Sequence, residues 1–167
     1  MANLSKKPQQ TIKGERVIFK GKQNYSFAPE VVFPFLCPVR EYEYLPDWEC
    51  DIVYLDSGLA ELGGVFITHP PGEEKKQDVW VISRYEKNQA IEFVRVNDLR
   101  SMIYRIQLEI TETGGTIAKW EQIITGLTEE GNKHVKQLQQ ADFTAMLGNI
   151  EELLQHYLEE NTKVASR

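Results

Sequence analysis

The chain has 167 residues, 41% hydrophobic and 26% charged, which suits one folded domain and excludes a largely disordered chain. Its net charge of −6 argues against nucleic acid as a partner, because phosphate binding needs a basic stripe. The longest uncharged apolar run, residues 31–39, has nine residues and two prolines, so no membrane insertion is expected where a bilayer requires ~20.

Charge is unevenly spread. Lys6, Lys7, Lys13, Arg16, Lys20 and Lys22 face Glu15 alone in the first 22 residues. Residues 1–14 read as a flexible basic tail, residues 15–160 as a single domain, and residues 161–167 as a C-terminal tail. The basic start lacks the apolar segment of a signal peptide, and the only cysteines are Cys37 and Cys50. Both facts point to a cytoplasmic setting with two free thiols.

The first strand is expected over residues 16–21. Pro29 suits the first turn of a helix, and Pro34, Pro38 and Pro46 allow only short pieces after it. Two small helices, 29–36 and 38–44, are therefore expected, broken at Cys37-Pro38.

From residue 48 to 125 the pattern has period two. Glu49, Asp51 and Glu61 face water, which turns Trp48, Cys50, Ile52 and Tyr54 inward, with Leu62, Gly64, Phe66 and Thr68 opposite them. A three-residue loop, Asp56-Ser57-Gly58, would pair Tyr54 with Ala60, Ile52 with Leu62 and Cys50 with Gly64. Strands 79–85 and 91–96 offer two apolar faces. The set Trp80, Ile82, Ile91 and Phe93 leaves Glu92 in water, and it carries Arg84 and Arg95 inside. The hairpin 102–111 to 116–125 puts Met102, Tyr104, Ile106 and Leu108 on the face of Ala118, Trp120, Gln122 and Ile124. A loop of Thr113-Gly114-Gly115, with Glu112 opposite Thr116, aligns these faces and sets Glu109 against Lys119.

Residues 129–160 read as one long helix with Thr128 as its cap. Val135, Leu138, Phe143, Met146, Leu147, Ile150, Leu153, Leu154, Tyr157 and Leu158 form its apolar stripe, and Gly148 marks a place for a bend. A seven-stranded antiparallel sheet has one face to cover and one long helix to cover it. The class is α+β: a curved sheet wrapped on a C-terminal helix, two short helices between strands 1 and 2, and a cavity between sheet and helix.

That order, with Trp48 opening the second strand, resembles the helix-grip fold of the START and birch-pollen-allergen-like superfamily (SRPBCC). The stretch 36–50, from Leu36-Cys37-Pro38 through Glu41-Tyr42-Glu43-Tyr44 to Trp48-Glu49-Cys50, resembles small bacterial members of the polyketide cyclase/dehydrase type. Trp80 and Trp120 also stand where the superfamily often has aromatics. The resemblance implies an apolar pocket for a hydrophobic small molecule such as a lipid or polyketide. It implies no single chemistry, since the superfamily holds carriers, enzymes and interaction modules.

The inward positions nominate Trp48, Tyr54, Phe66, Trp80, Phe93, Arg95, Tyr104, Ile106, Trp120, Gln122 and Met146 as pocket residues. Asp142 lies four residues from both Leu138 and Met146, either as a polar anchor in the pocket, a structural ion pair, or an edge residue facing water. Cys37, Glu41 and Cys50 can converge as thiol and base at the mouth, or be ordinary buried cysteines. His69 with Glu73 or Glu74 is either a base or ligand, or a solvated loop histidine; Glu152 and His156 read as a solvated helix face. No phosphate loop, nucleophile elbow or metal-spaced Cys/His set occurs, so no cofactor or metal is expected.

The leading expectation is binding, transport or sequestration of a hydrophobic small molecule by a monomer or homodimer. One rival is a cyclase or dehydratase acting through Asp142, Arg95 and Tyr104. The other is a co-chaperone-like interaction module, which calls for a filled cavity and an exposed apolar patch.

Overall fold

The computed structural model describes residues 10–69 and 76–165. Among them one antiparallel sheet contains β1 (Arg16–Tyr25), β2 (Asp51–Tyr54), β3 (Val65–Thr68), β4 (Asp78–Glu86), β5 (Ala90–Val96), β6 (Arg100–Ile110) and β7 (Thr116–Gly126). Strands β2 to β7 form a meander, and β1 closes onto β7, giving the order β1-β7-β6-β5-β4-β3-β2. Between β1 and β2 a one-turn helix α1 (Pro29–Val32) runs into a 3-10 turn at Phe33–Phe35. A second 3-10 turn spans Glu41–Glu43 beyond the Cys37-Pro38 break. The sheet curves around the C-terminal helix, as expected.

The β6–β7 hairpin keeps the expected faces but not the expected turn. Met102 lies opposite Ile124, Tyr104 opposite Gln122, and Ile110 opposite Thr116, so residues 111–115 form the loop. Thr116 is fully buried and donates its hydroxyl to the Phe27 carbonyl at 2.7 Å, which holds it in the ladder. The Thr111 hydroxyl accepts from the Gly115 N–H at 2.9 Å, and Gly114 takes the left-handed position at φ +83°. The register moves by an even step, so no side chain changes face. Lys119 now reaches Glu109 diagonally, at 2.6 Å.

The other end of the sheet departs further. Strands β2 and β3 are four residues each, and no tight loop joins them. The Glu61 carboxylate accepts from the Asp56 and Ser57 N–H groups at 2.5 and 2.9 Å, and this holds residues 55–64 as a wide loop. Ile52 therefore pairs with Phe66 rather than Leu62, and an irregularity before Tyr54 sets it against Val65 on the outer face. In β4, Trp80 and Ile82 turn inward, but a shift between Ile82 and Arg84 reverses the alternation. Arg84 points outward to Glu86 at 2.8 Å, and Tyr85 takes the inner side against Phe33.

The single helix expected over 129–160 is two helices. Thr128 caps α2 (Glu129–Gln137), its hydroxyl accepting from the Gly131 N–H at 3.0 Å. Leu138 is extended, with ψ 142°, and α3 (Gln140–Ala165) starts beyond it. The break docks α3: the Gln140 side chain donates to the Lys20 carbonyl at 2.9 Å and accepts from its N–H at 3.3 Å, as a neighbouring strand would. No break occurs at Gly148, which lies inside α3. At 26 residues α3 is about 39 Å long, and it buries Phe143, Leu147, Leu154 and Leu158 against the sheet. The contact with β1 is close at Gly21, where a Cβ would stand 2.5 Å from a Leu147 methyl.

The helix runs to Ala165, past the start of the expected C-terminal tail. Most of the expected N-terminal tail, and Glu73 and Glu74, lie outside the described residues. Asn132 holds the backbone of Lys13 and Glu15, at 3.0 and 2.7 Å. Among the described residues no helix is long and apolar enough to cross a membrane.

Candidate ligand cavity

A cavity of about 270 Å³ opens between the sheet, α3 and the stretch joining β1 to β2. The sheet contributes Phe66, Trp80, Phe93, Arg95, Tyr104, Ile106 and Trp120; α3 contributes Met146 and Ile150. The third wall comes from residues 36–48, through Leu36, Pro38, Glu41, Leu45 and Trp48. Prolines 34, 38 and 46 keep that stretch from forming a longer helix, so it lies across the sheet as short turns.

The floor is aromatic and rigid. Trp80 stacks between Phe66 and Tyr104, with ring centres 5.3 Å away on each side, and Phe93 meets Trp80 and Phe66 edge-on. Each indole N–H is held: Trp80 donates to Thr68 at 2.9 Å, Trp48 to the Pro38 carbonyl at 2.8 Å, and Trp120 to Gln23 at 2.7 Å. Gln23 is fully buried and donates in turn to the Leu147 carbonyl at 2.9 Å, which ties the floor to α3.

Two charged side chains reach the cavity, and their surroundings differ. Arg95 lies 4.9 Å above the Trp80 ring, donates to the Tyr104 hydroxyl at 3.3 Å and pairs with buried Asp78. Asp78 also accepts from Asn97 at 2.6 Å, so this charge is matched inside the protein. The Nε of Arg95 is buried without an acceptor among the described residues. Glu41 has no such support. Its carboxylate makes no hydrogen bond or ion pair among the described residues, and burial pushes its pKa up to about 8.

Of the nominated pocket residues, Trp48, Phe66, Trp80, Phe93, Arg95, Tyr104, Ile106, Trp120 and Met146 meet at this cavity. Three do not. Tyr54 is 57% exposed, because the irregularity in β2 turns it to the outer face. Gln122 is buried on the inner face, opposite Phe19 and Tyr104, but is not part of the cavity wall. Asp142 is exposed, because the break at Leu138 resets the phase of the stripe and leaves Phe143 and Leu147 as the inward residues.

Neither cysteine lines the cavity beside Glu41. Cys37 is buried and its sulfur accepts from the Ala60 N–H at 3.2 Å, while the half-buried Cys50 thiol, its pKa raised by burial, points to the Pro38 carbonyl at 3.9 Å. Both are free thiols. His69 is exposed at the β2–β3 edge, held by the Lys76 carbonyl at 3.0 Å and Asp51 at 3.1 Å, and both contacts raise its pKa. Among the described residues no group of three His, Cys, Asp or Glu side chains could hold a metal.

Sequence reasoning missed Gln23 and Asp78, and in both cases a signal existed. Counting by twos from Trp80 one step back reaches Asp78, and from Phe19 two steps forward reaches Gln23. It also missed Leu36, Pro38 and Leu45, whose irregular backbone carries no periodicity to read.

No protein-family model matches the chain, and no curated protein matches it in sequence. Solved structures match it in shape. Norcoclaurine synthase from Thalictrum flavum, as a point mutant with a transition-state analogue, superimposes with a TM-score of 0.65. The identity is 14%, over 90% of this chain and 99% of the synthase. This chain has the helix-grip fold. A protein from Mesorhizobium loti gives 0.58 at 16% identity, covering 85% of this chain and 98% of its own. Ara h 8.0201 gives 0.56 at 15%, covering 87% and 99%. At such identities the helix-grip likeness is one of architecture, and function has to be argued from the cavity.

Proposed function

We propose that this helix-grip domain binds, and so carries or sequesters, a hydrophobic small molecule in the cavity between its sheet and α3. One observation carries the reading: all three tryptophans of the chain line a single opening whose other walls are mainly apolar. An apolar concavity with a few fixed polar groups is the usual form of a small-molecule site, and about 270 Å³ lies near the lower end of the ~300–1,000 Å³ range. The ligand is accordingly small, of one or two rings rather than a long-chain lipid. An enzyme built on Asp142, Arg95 and Tyr104 lacks its carboxylate, since Asp142 faces water. The co-chaperone-like reading calls for a filled cavity, and this one is open.

The test is a titration with N-phenyl-1-naphthylamine, a neutral probe whose emission rises in apolar surroundings. Wild type should bind it, and Trp120→Ala should change the affinity severalfold. Glu121→Ala, next in sequence but on the outer face with Arg105 and Lys20, should leave it unchanged. Absence of binding by folded wild type, or a larger effect of Glu121→Ala, overturns the reading.

A further inference from the structure

We propose that the cavity takes a small organic cation, an amine whose nitrogen meets the Glu41 carboxylate and whose apolar body packs on the aromatic floor. The proposal rests on the reading of this cavity as a ligand site and adds the charge of the ligand. Three observations lead to it. First, the positive charge at the cavity, Arg95, is already matched by buried Asp78, so Glu41 is the charge left uncompensated in its walls. Second, Glu41 stands on the 36–48 wall, facing a floor that contains Trp80 and Phe66, with Trp48 beside it. Both faces of Trp80 are taken by Phe66 and Tyr104, so the floor gives the apolar body of the ligand a ring surface to pack on, and the nitrogen is left to Glu41. Third, the half-buried Glu41 carboxylate has no donor among the described residues, so its oxygens are free to accept a charge-assisted hydrogen bond from a ligand. An ammonium group supplies both the donor and the opposite charge.

Proton linkage gives the proposal a signature. Burial holds Glu41 protonated up to about pH 8, so at neutral pH an amine must displace that proton to bind as a cation. Four other groups bear on Glu41. Tyr44 and Cys50, from its own stretch, are both held above their ordinary values by burial. Arg95 and Tyr104 line the cavity from β5 and β6, and the α3 residues there, Met146 and Ile150, do not titrate. The neutral thiol and phenol stay neutral between pH 6 and 8, and Arg95 stays charged, so Glu41 alone changes charge in that window.

Benzylamine and benzyl alcohol, nearly equal in shape, are titrated against the full chain by calorimetry and by tryptophan fluorescence. Wild type should prefer the amine by about tenfold or more at pH 7.5, as expected for a charge-assisted hydrogen bond out of water. Its affinity for the amine, which stays protonated throughout, should rise from pH 6 to 8 with release of a proton. Glu41→Gln should abolish the preference for amine over alcohol. Equal affinities for the two probes, or an amine affinity that does not rise with pH, overturn the proposal. The pH profile of wild type decides alone should Glu41→Gln fail to fold. If benzylamine fails but N-phenyl-1-naphthylamine binds, the charge assignment is wrong and the ligand site stands. If both fail, the ligand-site reading itself is lost.

Discussion

The two ends of the sheet are built to different standards. At one end β1, β6 and β7 run ten or eleven residues, alternate regularly, and carry α3 on their inner face. At the other, β2 and β3 have four residues each, and every residue of β2 is exposed. The difference follows from where α3 docks. Gly21 and Gln140 draw the helix onto β1, so the inner aromatics of β3 to β5 lie beyond its reach and are roofed by the irregular 36–48 stretch. A packed core forms under the helix, and a cavity forms where the roof changes from helix to turns. Stability should concentrate at the first end and ligand binding in the space beside it.

The largest expected effect tests the packed end. Leu154→Asp puts a carboxylate at a fully buried position of α3 and should cost several kcal/mol in urea titration. Ile52→Asp, in the exposed edge strand, should cost less than about 1 kcal/mol. Comparable losses would mean that the two ends are equally cohesive. Next comes the tie between the ends. Gln23→Leu removes the acceptor of the Trp120 indole and a donor to α3, for about 1–3 kcal/mol. Because it frees Trp120, it should also shift the emission of that tryptophan; a stable variant with unaltered emission would show that the tie is idle.

Glu41→Gln has a smaller effect that appears only as pH rises. In the folded state Glu41 keeps its proton up to about pH 8, while in the unfolded chain it ionises near the ordinary carboxylate value. The folded state therefore binds the extra proton across that interval, and wild type loses stability as pH climbs from about 4.5 through 8. Glu41→Gln should match wild type near pH 4 and exceed it by pH 8. The open cavity screens part of the charge, so a gain on the order of 1 kcal/mol is expected. Parallel stability curves across pH would show that the cavity does not raise the pKa of Glu41.

Legibility in the sequence follows the same division. Alternation over Met102–Leu108 and Ala118–Ile124 identified the inner face of β6 and β7 because Arg105 and Gln107, and Lys119 and Glu121, separate the inward side chains along each strand. The turn length was misread there, yet the faces survived, since the register moved by an even step. In β2 and β3 the pattern over Trp48–Tyr54 was just as tidy, but nothing in it shows that the Glu61 side chain caps the loop backbone and opens the turn. The helix stripe was legible residue by residue, whereas the break at Leu138 was not, because Gln140 acts through a tertiary contact with Lys20. Most cavity residues could be named because strands place them by parity. Glu41 could be suspected only as a partner of the cysteines, because the turns around it have no period.

The smallest expected effect divides that misread stretch. Trp48 and Tyr54 were assigned to one inward face by the same alternation, and the structure separates them. Trp48 is half-buried, lines the cavity and donates to the Pro38 carbonyl, whereas Tyr54 stands on the outer face opposite Val65. Trp48→Ala should therefore weaken N-phenyl-1-naphthylamine binding severalfold. Tyr54→Ala should leave it unaltered and change stability by no more than ~0.5 kcal/mol, as for an exposed side chain away from any cap or core. A Tyr54→Ala variant that loses the probe would mean that β2 pairs in the tight register after all and brings its second aromatic inside. An unaltered Trp48→Ala variant would mean that the 36–48 stretch is not the roof of the site.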